Sequence, residues 1–174
     1  MRRGKERQVL ARLLLDAARL VPVEDLVATL WGSAPPATAR QSLQNHVMRL
    51  RNMLGDGQRA RIGTQPRGYL IRAEPSELDI ARFEAAVAEA RASVRAERWP
   101  AAAPAARAAL ALWRGDPLAG VDSELLAARE VPGLHELRLQ AQEMALDADL
   151  HLGHAPDVIA GLRRLVAGHP LREP

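Results

Sequence analysis

Thr38-Ala39-Arg40-Gln41-Ser42-Leu43-Gln44-Asn45-His46-Val47-Met48-Arg49-Leu50-Arg51-Asn52-Met53-Leu54 is the segment on which the reading of this chain turns. Beyond Gly55-Asp56-Gly57 it is followed by Ala60-Arg61-Ile62-Gly63-Thr64 and Gly68-Tyr69-Leu70-Ile71-Arg72. In the first stretch Leu43, Val47, Leu50 and Leu54 recur at helical spacing and predict a helix with one buried stripe. Thr38 is placed to cap its start. The two shorter runs change period and read as short strands, and Gln65-Pro66-Arg67 joins them as the turn of a small hairpin.

Working back toward the N-terminus, Val9, Leu10, Leu13, Leu14 and Ala17 form the apolar face of a helix from about Lys5 to Arg19. Pro22 disfavours helix at Val21 and suits the opening of the next element. That element is a short helix from Glu24 to Trp31, stopped by Gly32 and followed by the rigid Pro35-Pro36. Three helices, the third long and cationic, followed by a hairpin, is the order of a winged helix. Glu74-Pro75-Ser76 reads as a linker, and the rest of the chain reads as helical. Helices are expected over Asp79–Ala96, Ala101–Trp113, Leu134–Leu152 and Pro156–Ala167, with breaks at Gly115-Asp116-Pro117 and Pro132-Gly133. Alanines at close-packing positions suggest tetratricopeptide-like hairpins. Gly115-Asp116-Pro117-Leu118 recurs loosely as Gly168-His169-Pro170-Leu171. The expected fold is therefore mostly α, a winged helix-turn-helix followed by helical hairpins.

Composition bounds the function. The 174 residues are 48% hydrophobic and 26% charged but only 3% aromatic, so leucine and alanine must build the core. The absence of cysteine excludes disulfides, a thiol nucleophile and thiolate metal sites. No apolar run nears the roughly 18 residues of a membrane span, so a cytoplasmic chain with no membrane partner is expected. His151 and His154 have no third ligand at a recognised spacing, and His46, beside the buried stripe, reads as a packing or hydrogen-bonding residue. Glu143, Asp147 and Asp149 read as a solvated helix face, and Trp99 and Trp113 as core. Phosphate-loop, nucleophile-elbow and kinase signatures are missing, so neither an enzyme nor a cofactor or metal is expected.

Charge is divided along the chain. Residues 1–75 carry 13 Arg/Lys against 6 Asp/Glu, a net of +7, and residues 76–174 carry 11 against 15, a net of −4. The basic half is the one that suits a polyanion. With the leucine stripe inward, the third helix would present Arg40, Gln41, Gln44, Asn45, Met48, Arg49, Arg51 and Asn52 outward. Amide side chains pair with adenine edges, and arginine pairs with guanine edges or phosphates. Gln44, Asn45 and Met48 near the middle are expected at base edges; Arg49, Arg51 and hairpin Arg67 at phosphates, with Arg49 also able to read guanine. Hairpin Thr64 completes the candidate set. A solvated Arg/Gln face is the bland alternative, and the helix–hairpin context weighs against it.

Several segments resemble one family. They are Asp25-Leu26-Val27-Ala28-Thr29-Leu30-Trp31-Gly32, Pro35-Pro36-Ala37-Thr38-Ala39-Arg40, Leu43 to Arg51, and Ile62 to Leu70. In the second half, Arg82-Phe83-Glu84, Ala109 to Gly115 with Pro117-Leu118, and His169-Pro170-Leu171-Arg172-Glu173 agree. Together these resemble the antibiotic-regulatory activators of actinobacteria, which join an OmpR-type winged helix to a bacterial transcriptional activator domain. The resemblance implies a DNA-binding module at 1–75 and an activator module at 76–174. Its recognition helix would be Ala37–Leu54 and its wing Ile62–Ile71. It further implies double-stranded promoter repeats and RNA polymerase as partners, a homodimer as an arrangement on DNA, and a place in phosphorelay signal transduction. The family pattern has a small N-terminal sheet before the first helix and further hairpins after the last, so an incomplete regulator is expected. The rival expectation is a helical scaffold or sensor segment whose degenerate winged helix does not bind DNA.

Overall fold

The computed structural model describes residues 4–56, 61–154, 156, 158, 159 and 161–163. These pack as two compact units, the first formed by residues up to Leu78 together with Gly115–Gly133, the second by Asp79–Arg114 with the residues from Leu134 onward.

In the first unit, α1 (Gly4–Leu15), α2 (Val23–Trp31) and α3 (Ala39–Met53) enclose one apolar core with a small sheet. Val9 and Leu13 of α1, Leu26 and Leu30 of α2, and Leu43, Val47 and Leu50 of α3 meet there with Val21, Ile62, Tyr69 and Ile71. Each helix contributes residues three or four apart because that spacing returns to one face. The winged-helix expectation holds, with one element added. Val21-Pro22, expected only as an interruption, is a strand, β1, that pairs antiparallel with β3 (Gly68–Ile71), which in turn pairs with β2 (Ile62–Gln65). The sheet order is β1-β3-β2. Gly68 permits this pairing: a Cβ there would lie 2.0 Å from the Val21 carbonyl oxygen.

Three local expectations need correction. The first helix ends at Leu15, not Arg19, because Ala18 turns into the left-handed region (φ 63°) and donates its N–H to the Ile71 carbonyl at 2.9 Å. Thr38 occupies the N-cap position of α3 but makes no side-chain cap bond. Leu54 is 44% exposed, since α3 closes one residue earlier. The closing turn has Gly55 at φ 66°, Gly55 N–H on the Asn52 carbonyl and Asp56 N–H on the Arg51 carbonyl, which is a Schellman ending.

Residues 120–126 dock on this unit. Arg7 donates to the Gly120 carbonyl (3.0 Å), Gln8 to the Asp122 carbonyl and Ser123 Oγ to the Thr29 carbonyl (2.9 Å), and Leu126 is buried. The expected break at Pro132-Gly133 does not occur. Glu124–His151 is one continuous helix, α6, with Pro132 exposed inside it. Proline removes one backbone donor, and the surrounding Ala, Leu, Arg and Glu residues are strong enough helix formers to carry the helix through.

In the second unit, α4 (Asp79–Arg95) and α5 (Trp99–Ala111) form an antiparallel hairpin against the Leu134–His151 part of α6. The packing is layered. Phe83 and Val87 meet Ala109 and Ala141; Ala90 meets Ala105, Ala106 and Ala145; Ala102 and Ala103 meet Ala148. Small side chains at each crossing let the helices approach closely. Phe83 stands edge-on to Trp113 at 5.7 Å, and Trp99 packs beside the last layer, so both tryptophans serve the core as expected. The supposed solvated acidic face is not one. Asp149 is 6% exposed and accepts a bond from Arg107, while Glu143 and Asp147 are half-buried. Of the expected last helix, residues 156, 158, 159 and 161–163 are helical; Leu165, Val166 and the Gly168–Leu171 repeat lie outside the described residues.

Candidate nucleic-acid interface

The inward stripe of α3 decides what the helix shows to solvent. Gln41, Asn45, Met48 and Asn52 fall on the side opposite Leu43, Val47 and Leu50, and all four are exposed. Met48 is 55% exposed at the centre of this face, a position suited to a thymine methyl group. Gln44 and Arg40 lie on one flank with Arg51, and Arg49 lies on the other. The middle of the face is thus amide and thioether, and the cations stand at its sides.

Each flanking arginine has an intramolecular partner. Arg40 pairs with Glu24 of α2 at 2.7 Å, both highly exposed, a geometry worth about 0–1 kcal/mol. Arg49 lies 3.5 Å from Glu6 of α1. Arg51, half-buried, donates to the Ile62 carbonyl and to Thr64 Oγ1 on β2. Arg67 is exposed in the β2–β3 turn, where its carbonyl accepts the Val23 N–H at 3.0 Å, and Thr64 is exposed one turn-length away. The structure therefore gathers the α3 residues on one face and brings Arg51 to Thr64.

Behind this face sits a polar cluster that periodicity alone did not reveal. Glu6 is buried, with Oε1 3.0 Å from His46 Nδ1. Burial pushes its carboxyl upward, but the His46 bond, the local backbone bond, the His46 charge and the Arg49 bond outweigh it, and the net shift is downward. His46 is the hydrogen-bonding residue expected, joining α3 to α1. Lys5 donates to the Leu30 carbonyl at 2.5 Å and lies over the Trp31 ring at 4.7 Å, joining α1 to α2. Asp56 clasps the start of β2, accepting Arg61 N–H (2.9 Å) and Ile62 N–H (2.7 Å). Arg61 pairs with Glu77 at 2.8 Å. That bond, together with the Glu74 N–H, lowers the Glu77 carboxyl to about 2. The only sequence cue for Asp56 was an acidic residue directly after the glycine that ends α3.

His151 and His154 of the second unit are engaged within the protein. His151 stacks on Trp99 with ring centroids 3.8 Å apart, and His154 Nδ1 lies 3.3 Å from Asp149. Among the described residues no group of three or more His, Cys, Asp or Glu side chains could hold a metal ion, and no helix is long and apolar enough to cross a membrane.

A winged helix with an amide-lined third helix, followed by an alanine-layered helical unit, is the architecture of a transcriptional regulator. The chain belongs to the bacterial transcriptional activator domain family, which matches residues 78–174, while residues 2–71 match the family described as transcriptional regulatory protein, C terminal. Relatives include the regulatory protein DnrI of Streptomyces peucetius, 34% identical over 97% of this chain and 65% of its own length. The transcriptional regulatory protein EmbR of Mycobacterium tuberculosis is 34% identical over 98% of this chain and 45% of its own. A solved structure of Mycobacterium tuberculosis EmbR in complex with a low affinity phosphopeptide superposes with a TM-score of 0.89 at 31% identity, covering 99% of this chain and 47% of that one. The expected kinship with the antibiotic-regulatory activators is borne out. The chain spans less than two thirds of each of these relatives. The family and these relatives are transcriptional regulators, not enzymes.

Proposed function

We propose that this chain carries the DNA-reading and activating parts of a cytoplasmic, sequence-specific transcriptional activator. Residues 1–75 form the DNA-binding module and residues 76–174 the activator module, a tetratricopeptide-like surface for RNA polymerase. In this reading α3 enters the major groove of a promoter repeat, the β2–β3 hairpin reaches the flanking backbone, and a second copy occupies the neighbouring repeat. The observation that carries the proposal is the outward stripe of α3: three amides and a methionine, exposed at helical spacing over a helix anchored to the core along its opposite side. Amides can specify adenine through paired hydrogen bonds, at about 1–3 kcal/mol per contact.

The test measures affinity for a duplex selected from random sequence, and for a scrambled duplex, at several salt concentrations. Gln41→Ala or Asn45→Ala should lower affinity for the selected duplex and leave the scrambled one nearly unchanged. Arg67→Ala should weaken both alike and reduce the salt slope by about one unit. One observation favours a second reading, a scaffold that does not bind DNA: Arg40, Arg49 and Arg51 all have protein partners. Wild-type chain that retards no duplex at low salt would decide for that reading.

A further inference from the structure

The geometry points to Arg51 as the residue that sets the position of the β2–β3 wing against α3, so that its part in reading DNA runs through the wing and not through a phosphate of its own. This rests on the DNA-reading proposal above and deepens it.

The guanidinium makes three hydrogen bonds to one strand. Its Nε donates to the Ile62 carbonyl at 3.1 Å, and Nη2 donates to the same oxygen at 2.7 Å and to Thr64 Oγ1 at 2.9 Å. The register of the hairpin explains why that oxygen needs a partner. Arg72 N–H donates to the Arg61 carbonyl at 2.8 Å, so the adjacent Ile62–Ile71 pair is the kind whose backbone groups point away from each other. On the Ile71 side the carbonyl is taken by Ala18. On the Ile62 side β2 is the edge of the sheet, and among the described residues its outward groups face no further strand. Arg51 takes the Ile62 carbonyl and Asp56 takes the Ile62 N–H at 2.7 Å.

The two clasping residues are themselves linked, because Asp56 N–H donates to the Arg51 carbonyl at 2.8 Å in the turn that ends α3. The end of the reading helix and the start of the wing therefore form one hydrogen-bonded joint. Beyond that joint, Thr64 and Arg67 project on a short ribbon whose free edge is held at Thr64 by the same guanidinium. A lysine could keep the charge but not the three-bond fork.

Two readouts on the full chain test this. In the free protein, Arg51→Ala should speed amide hydrogen exchange across Ile62–Gln65 at least about tenfold, a cost of about 1.4 kcal/mol, while α4 and α5 keep their protection. Unchanged protection of β2 would overturn the inference. With duplex DNA selected from random sequence, Arg51→Ala, Arg67→Ala and the double variant form a cycle. If Arg51 acts through the wing, its substitution weakens binding in the wild-type background but by less than about twofold in the Arg67→Ala background, a coupling neighbouring groups in one network show. Arg51→Lys should then behave like Arg51→Ala. Additive losses, a further drop of about one unit in the salt slope, or rescue by lysine would assign Arg51 to a phosphate and overturn the inference while leaving DNA reading intact. A wild-type chain that binds no duplex overturns both.

Discussion

Gly68→Ala is the sharpest test of how the winged unit is held together. A Cβ at this position would sit 2.0 Å from the Val21 carbonyl oxygen, 2.8 Å from the Val21 carbonyl carbon and 3.0 Å from Pro22 Cα. All three are backbone atoms, so no side chain can swing aside, and the β1–β3 separation must grow by about 1 Å or more. The pairs at stake are Val21↔Tyr69 and Pro22↔Gly68, with the adjoining Val23 N–H to Arg67 carbonyl bond. Losing one or two backbone bonds costs about 1 kcal/mol each, and forced repacking next to buried Val21 and Tyr69 adds about 1–3 kcal/mol. The smaller unfolded-state entropy of alanine returns about 0.4–1 kcal/mol. The net expectation is a loss of about 1–4.5 kcal/mol. Gly63→Ala is the matched control, because its Cβ would meet Leu70 and Arg72 side-chain atoms at an ordinary 3.6 Å and should change stability by less than about 1 kcal/mol. Urea unfolding followed by circular dichroism and by tryptophan fluorescence measures both, Trp31 lying in the first unit and Trp99 and Trp113 in the second. If Gly68→Ala unfolds at the wild-type midpoint, or if the two variants lose equal stability, the close-approach argument is wrong.

Glu97 closes α4 in a Schellman turn at φ 53°, with Arg98 N–H on the Ser93 carbonyl and Glu97 N–H on the Val94 carbonyl, so Glu97→Gly should raise stability by about 0.5–1 kcal/mol in the same urea assay. A loss there would show that the side chain does more than occupy a strained position. Ser123 donates to the Thr29 carbonyl and accepts the Leu126 N–H at the start of α6; Ser123→Ala should cost about 1–2 kcal/mol, read as a shifted denaturation midpoint, and a neutral result would mean that the 120–126 segment docks without it. Because Glu77 titrates at about 2 in the fold against an ordinary 4.5, its bond to Arg61 contributes fully above about pH 5 and is lost as pH falls toward 2. Stability of Glu77→Gln should accordingly vary less than wild type over that interval, with the difference shrinking in high salt because the pair is exposed; parallel pH profiles would refute it.

How much of the fold is written locally in the chain depends on the range of each interaction. The face of α3 was legible because helical periodicity is local: once Leu43, Val47 and Leu50 turn inward, Gln41, Asn45, Met48 and Asn52 must turn outward whatever surrounds them. The β2–β3 hairpin was legible for the same reason, through a turn of two residues. By contrast β1 is two residues long, too short to show any period, and exists because a glycine far along the chain leaves room for its carbonyl. The continuity of α6 through Pro132 went against the strongest local breaker in that region.

What the sequence alone determined, then, was the class and order of the main elements, which side of α3 is apolar, and where basic and acidic charge fall along the chain. Pairing was decided in three dimensions. Periodicity assigns a side chain to a face, but a guanidinium on the flank of α3 can equally meet a phosphate, a carboxylate or a carbonyl. Only the edge position of β2 turned Arg51 toward Ile62 and Thr64. The same holds for Glu6 behind His46 and for buried Asp149 with Arg107, whose partners lie 40 and 42 residues away. Polar contacts of that span depend on how whole elements pack, because a hydrogen bond needs its two atoms within a few tenths of an ångström, whereas an apolar stripe needs only the right face.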